Sequence, residues 1–183
     1  AEVADFLCQV STETPWDVLC LQEFGFFAGD SPLEIAGHEI LTTRRSTGAR
    51  ALGLIVHARL RPLIVTDSLK RLQRCICIDI DLMKVSFRVI NAHLAPSNSR
   101  DEYQASLDEL RSMLTSLPCG SRVLGGVDAQ CPISSEADPE LVGDAVCGPI
   151  TWKSELFSNF IHEFRLTLMN TFDTSNAPWT CYY

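Results

Sequence analysis

Nothing in the 183 residues approaches the roughly 18 consecutive apolar residues that a membrane-crossing helix needs, so no such span is read from the sequence. There is no CxxC pair, which argues against a structural zinc site. The start carries Glu2 and Asp5 and no basic segment, so it does not read as a signal peptide. The first residue is Ala, not Met, so the chain is read as processed or as a fragment. No internal repeat, low-complexity tract or linker interrupts the chain. Positive charge is in short supply: 15 Lys and Arg stand against 23 Asp and Glu, a net charge of −8, which is not the profile of a general nucleic-acid binder.

What remains is ordinary for a globular protein. The hydrophobic fraction of 46% is enough for one domain over residues 1–183 with a real core. Eight cysteines are present, at 8, 20, 75, 77, 119, 131, 147 and 181. They read as free thiols used as small hydrophobes, a usage that suits a reducing, intracellular compartment. Charge is unevenly spread. Residues 44–74 hold Arg44, Arg45, Arg50, Arg59, Arg61, Lys70, Arg71 and Arg74 against Asp67. Such a patch can hold a phosphate backbone on an acidic protein, or it can solvate the outer face of amphipathic strands.

The periodicities predict the order of elements. Ala4–Val10 reads as the tail of an amphipathic helix, Trp16–Gln22 as a buried strand, and Phe24–Asp30 as a Gly- and Phe-rich loop. Glu39–Thr43, Gly53–His57, Leu63–Thr66, Leu72–Ile80 and Val85–Asn91 read as strands with short turns, hence antiparallel neighbours. Cys75 and Cys77 fall on one face, opposite Ile76, Ile78 and Ile80. Ser99–Leu117 reads as a helix, with Ser99 as N-cap, Asp101 and Glu102 in its first turn, and Pro118 and Gly120 ending it. Arg122–Val127 is a strand, Cys131–Ile150 a polar loop, Ser154–Phe164 a second helix, and Leu166–Phe172 and Trp179–Tyr183 closing strands. The fold class expected from this order is α+β, a two-sheet sandwich with helices outside.

Three strings far apart in the chain fit one layout. They are Val18-Leu19-Cys20-Leu21-Gln22-Glu23, Val89-Ile90-Asn91-Ala92-His93-Leu94 and Val123-Leu124-Gly125-Gly126-Val127-Asp128-Ala129-Gln130. Each is an apolar run ending in a residue that can do chemistry. Such runs read as buried strands, and chemistry is commonly mounted where strands end. A Glu, a His and an Asp are thereby expected on the rim of one sheet. Taken alone, Glu23 is either a hydrogen-bonded strand-end residue or a hard-metal ligand, His93 a structural hydrogen-bonder or a phosphate contact, and Asp128 a turn aspartate or a base. The Gly125-Gly126 pair allows close backbone packing.

In this order the strings resemble the endonuclease/exonuclease/phosphatase superfamily, the deoxyribonuclease I-like metal-dependent phosphoesterases. Leu141-Val142-Gly143-Asp144, Gly148, Leu168-Met169-Asn170-Thr171-Phe172 and Trp179-Thr180 extend the resemblance to its retroelement (LINE-type) endonuclease branch. The resemblance implies a deoxyribonuclease I-like sandwich and a divalent-metal-dependent phosphodiesterase that nicks DNA. It assigns Glu23 to Mg²⁺ or Mn²⁺, His93 to the scissile phosphate, and Asp128 to the attacking water. Gln130 stands where the family pattern has Asn; the amide survives, one methylene longer. Arg44, Arg45, Arg50, Arg71 and Arg74 would meet the nucleic-acid backbone. A reverse transcriptase in the same polyprotein and nuclear action on chromosomal DNA are also implied.

The family pattern further includes an opening strand with an Asn and a closing segment with an Asp and often a His. Neither is found here, so edge elements are expected to be missing at both ends, and His38, His57 and His162 are poor substitutes. Alternatives remain open: a catalytically inactive remnant, a related RNA exonuclease or phosphatase, or a thiol-based redox sensor centred on Cys75 beside Arg74.

Overall fold

The computed structural model describes Asp5 and residues 16–24, 33–35, 37–43, 51–83, 85–133, 140–143 and 149–169. The expected helix Ala4–Val10, nearly all of the loop Phe24–Asp30 and the strand Trp179–Tyr183 lie outside them, apart from single residues.

In chain order the elements are β1 (Val18–Phe24), β2 (Leu33–Ile35), β3 (His38–Thr42), β4 (Ala51–Val56), a 3-10 helix (Ala58–Leu63), β5 (Lys70–Arg71), β6 (Cys75–Leu82), β7 (Val85–His93), α1 (Arg100–Thr115), β8 (Arg122–Asp128) and α2 (Trp152–Phe164). The strands form two four-stranded sheets, ordered β1-β4-β3-β2 and β5-β6-β7-β8. Every pairing is antiparallel except β7 with β8, which is parallel, as expected of two strands joined by a crossover through α1. This is an α+β fold.

The chain groups into two compact units. One comprises Ala1–His93 with Glu109–Asp128, and the other Leu94–Asp108 with Ala129–Tyr183. The first holds both sheets. Leu41, Leu52, Leu54 and Val56 of one sheet pack against Ile76, Ile78, Ile80 and Val89 of the other. The alternation expected for β6 holds: the isoleucines face this core, while Cys77 and Asp79 face outward. On the outer face, Asp79 pairs with Arg88, whose Nη1 donates to the Met113 carbonyl (2.6 Å) and Ser116 Oγ (2.9 Å) at the end of α1. The last turns of α1 are thereby pinned outside the second sheet.

The second unit is built around Tyr103, Leu107, Phe157, Phe160 and Ile161, all buried. Buried Lys153 donates to the Pro96 carbonyl at 3.0 Å and lies over the rings of Tyr103 and Trp152.

Several boundaries differ from expectation for local reasons. The expected strand Leu63–Thr66 is not one. Residues 58–63 wind into the 3-10 helix, capped by His57 Nδ1 accepting from Arg59 N, and Ile64 makes only an isolated bridge to Ile80. A side-chain cap outcompetes the β preference of Ile64 and Val65. The run expected as one strand over Leu72–Ile80 is broken, because Leu72 N turns back to the Cys75 carbonyl (2.8 Å) and β6 starts only at Cys75. Helix α2 begins two residues early, where Thr151 and Ser154 form a reciprocal capping box. Of the expected strand Leu166–Phe172, Leu168 makes a single parallel bridge to Val142, and residues from 170 onward lie outside the described set. Strand β8 was expected to be buried, yet among the described residues it is the last strand of its sheet, with Leu124 57% and Val127 39% exposed. Among the described residues no helix is long and apolar enough to cross a membrane.

Candidate active site

Three strand ends of the first unit bring the expected residues together. In the parallel β7–β8 pair, His93 is in register with Asp128, and two residues earlier Asn91 is in register with Gly126. Period-2 alternation carries the inner face of β7 through Val89, Asn91 and His93. His93 Nε2 lies 3.7 Å from Asp128 Oδ2 and 3.8 Å from Glu23 Oε1. Both carboxylates therefore converge on one imidazole nitrogen, at ion-pair rather than hydrogen-bond length. The imidazole is buried, while the Glu23 side chain is 45% and that of Asp128 29% exposed. The arrangement is a buried imidazole with two carboxylates reaching toward solvent.

Glu23 reaches this point through a backbone irregularity. On β1, Val18 and Cys20 pack toward the inter-sheet core, and Leu19 and Leu21 toward the opposite cluster of Trp16, Ile40 and Ile55. Strict alternation would place Glu23 on the outer side with Leu21. Instead the β1–β4 register shifts between Leu21 and Phe24, and Glu23 takes φ 54. A bulge re-aims the side chain that carries it, and a left-handed backbone at a residue other than Gly costs of order 1–3 kcal/mol. Gln130 is also left-handed, at φ 52. It belongs to the second unit, where Tyr103 donates its hydroxyl proton to the preceding Ala129 carbonyl at 2.8 Å.

Two amides that the sequence reading gave no role sit beneath Glu23 and His93. Gln22 Nε2 donates to Asn91 Oδ1 (3.2 Å) and the Ala92 carbonyl (3.0 Å). Asn91 Nδ2 donates to the carbonyls of Leu21 (2.7 Å) and Gly53 (2.8 Å), with the side chain fully buried. The available signal was the alternation itself, which puts a polar Asn on the core-facing side of an otherwise apolar strand.

The glycine pair is explained by close approach. A Cβ built on Gly125 would stand 2.1 Å from the Ile90 carbonyl oxygen, and one on Gly126 would stand 3.0 Å from Cys20 Cβ.

Among the described residues no group of three or more His, Cys, Asp or Glu forms a set that could hold a metal ion. A closed cage is thus not built among the described residues. The exposed Glu23 carboxylate does fit Mg²⁺, a hard cation that keeps most of its waters and takes one or two carboxylates together with substrate phosphate.

The arginines divide. Arg59 pairs with Asp17, and Arg61 with Glu34 and Glu39, so these two are engaged on the surface of the first sheet. Arg71 Nε donates to the Thr42 carbonyl at 2.7 Å, and its Nη2 is buried without a hydrogen-bond partner. The backbone of Arg74 is tied to the site strand: its carbonyl accepts from His93 N (3.0 Å), and its own N–H donates to Glu109 Oε2 (2.7 Å). Arg44, Arg45 and Arg50 lie outside the described residues.

His38 and His57 pack against Trp16, tilted and edge-on respectively, at the far end of β1, roughly 17 Å along the strand from Glu23. His162 is exposed in the last turn of α2.

Among the described residues, the surroundings of Cys75 do not favour a reactive thiol. Burial, then the nearby Glu109 carboxylate and Cys77, push the Cys75 thiol well above its ordinary range, away from the reactive thiolate. Cys119 is exposed, contrary to the expectation of buried thiols.

No family model matches the chain, and no curated protein matches it in sequence. Among solved structures, it is similar to the endonuclease domain of TRAS1, a telomere-specific non-LTR retrotransposon. The TM-score is 0.54 at 10% identity, over 88% of this chain and 64% of that one. The chain thus spans less than two thirds of that domain. The likeness defines the fold, and the chain has a LINE-type endonuclease-like fold.

Proposed function

We propose that this chain is a divalent-metal-dependent phosphodiesterase that nicks DNA. The observation that carries the proposal is the convergence of Glu23 and Asp128 on His93 Nε2, at 3.8 and 3.7 Å, on a fold similar to an endonuclease domain. Mg²⁺ held at Glu23 would supply charge neutralisation at the phosphate and the leaving oxygen. Asp128 orients a water in line with the scissile bond and accepts its proton as the new P–O bond forms. His93 Nε2, set between the two carboxylates, donates to a phosphate oxygen. The bond from phosphorus to the sugar oxygen then breaks, leaving a single-strand cut. Arg74, with Arg44, Arg45 and Arg50, is the proposed contact to the backbone; Arg71, whose Nε is bonded to Thr42 and whose Nη2 is buried, is not among them.

The test is nicking of supercoiled plasmid with Mg²⁺ or Mn²⁺, against a chelator. Wild type should nick, and Glu23→Gln, His93→Ala and Asp128→Asn should each lose on the order of 10²-fold or more. RNA and a small phosphoester, offered in parallel, report the alternative substrates. A second reading, favoured by Gln130 standing where the family pattern has Asn, is a non-catalytic domain. Metal-independent stability together with no cutting of any substrate would establish that reading.

A further inference from the structure

The two buried amides beneath Glu23 and His93 have a geometry that a simple core filler does not need. Asn91 is 0% exposed, yet three hydrogen bonds engage its amide: to Leu21, to Gly53 and from Gln22. Gln22 adds a bond to Ala92. Three of these four ties land within two residues of the proposed site, and the fourth anchors Asn91 to Gly53 of β4. The Leu21 carbonyl is two residues before Glu23, Gln22 immediately precedes it, and the Ala92 carbonyl immediately precedes His93. Gly126, in register with Asn91 on β8, is two residues before Asp128.

An apolar residue at 91 would fill the same space without the cost of burying an amide. What it could not do is fix the height of β1 against β7. That height matters because Glu23 sits on a bulge, where the β1–β4 ladder no longer sets its position. The bulge is held instead from across the sandwich, by the amide of the residue before it.

We infer that Gln22 and Asn91 are positioning residues, whose paired amides lock the Glu23 bulge to the end of β7 and so set the spacing of Glu23, His93 and Asp128. The inference rests on the proposed phosphodiesterase reading and names what holds that site in shape. Outer partners that orient the groups of a metal site typically contribute 10–100-fold to metal affinity or activity.

The experiment uses the full chain with Gln22→Met, close in length and lacking the amide, and Gln22→Ser as a smaller variant. Gln22 is half-buried, and whichever variant retains the wild-type circular dichroism is carried forward. Two readouts are taken: Mn²⁺ affinity by calorimetry, and kcat and KM for plasmid nicking. The expected result is Mn²⁺ affinity weakened about 10-fold and kcat lowered about 10- to 100-fold, with KM for DNA within about twofold. If wild type binds Mn²⁺ and nicks while the variant differs only in melting temperature, the amides are structural and the inference is overturned, leaving the enzymatic reading in place. If wild type neither binds Mn²⁺ nor nicks, the enzymatic reading fails and takes this inference with it.

Discussion

Gly125→Ala is a severe single-methyl change, and its size follows from one distance. The added Cβ would lie 2.1 Å from the Ile90 carbonyl oxygen and 3.0 Å from its carbon. Both are backbone atoms of β7, the strand that also carries Asn91 and His93, so neither can rotate away. Relief requires moving β8 from β7 by about 1 Å at that point, which lengthens ladder hydrogen bonds on either side. Overpacking of a fixed site costs 1–3 kcal/mol, and weakened ladder bonds add to it, so about 3 kcal/mol or more is expected.

Gly126→Ala is the internal control. Its Cβ meets Cys20 Cβ at 3.0 Å and Sγ at 3.4 Å, side-chain atoms of another strand that can give by a few tenths of an ångström, so about 1 kcal/mol is expected. At about 2–4 °C per kcal/mol for a chain of this length, Gly125→Ala should melt about 6–12 °C below wild type, and Gly126→Ala about 2–4 °C below. Urea unfolding with an unchanged m-value would confirm that the native state carries the loss. If Gly125→Ala falls within about 0.5 kcal/mol of wild type, or is milder than Gly126→Ala, the close approach of β8 to β7 is refuted.

Two further perturbations test the scaffold. Arg88→Met removes a guanidinium that is 2% exposed and holds Asp79 through two bonds of 2.7 Å. The orphaned carboxylate should cost about 3–5 kcal/mol in urea unfolding, and Arg88→Met/Asp79→Leu should recover most of it; additive losses would show that the pair is not coupled. His38 is held below the ordinary imidazole range, by burial first and by neighbouring His57 second. Its Nδ1 also accepts from Ala58 N at 3.3 Å. The unfolded chain therefore takes up this proton first as pH falls. Stability should be full above about pH 6.5 and should decline below it until the folded state also titrates. His38→Gln should flatten that slope in melting curves, and an unchanged slope would exclude His38 as its source.

Much of the site was legible because strand ends are written in local sequence. A buried strand needs an apolar run, and the residue that breaks the run sits at the rim, so Glu23, His93 and Asp128 could be placed without knowing which strands pair. The topology supplied what local sequence could not. That β7 and β8 are parallel, with His93 opposite Asp128, follows from the crossover through α1 and not from either strand. The 3-10 helix at Ala58–Leu63 was hidden because its cap is a histidine, a residue that ordinarily signals neither turn nor helix start. The exposure of β8 was hidden for the converse reason: Val123, Leu124 and Val127 read as core, and only the strand order among the described residues places β8 last in its sheet.

The bulge at Glu23 shows why alternation alone would have misplaced the key carboxylate. Counting from Cys20 and Gln22, which face the core, position 23 belongs to the outer face, with Leu19 and Leu21. A Glu there would face the cluster of Trp16, Ile40 and Ile55, an apolar surface that offers a carboxylate nothing. The one-residue register shift removes that conflict and also turns the side chain toward His93. The backbone strain at φ 54 is thus offset twice: by keeping a charge out of an apolar cluster, and by the bonds of the adjacent Gln22 to Asn91 and Ala92. A residue serving only the fold would be relieved more simply by Gly at 23, or by an apolar residue on the outer face. A strained glutamate, braced by buried amides and aimed at a buried imidazole, is the strongest structural support for the site proposed at this rim.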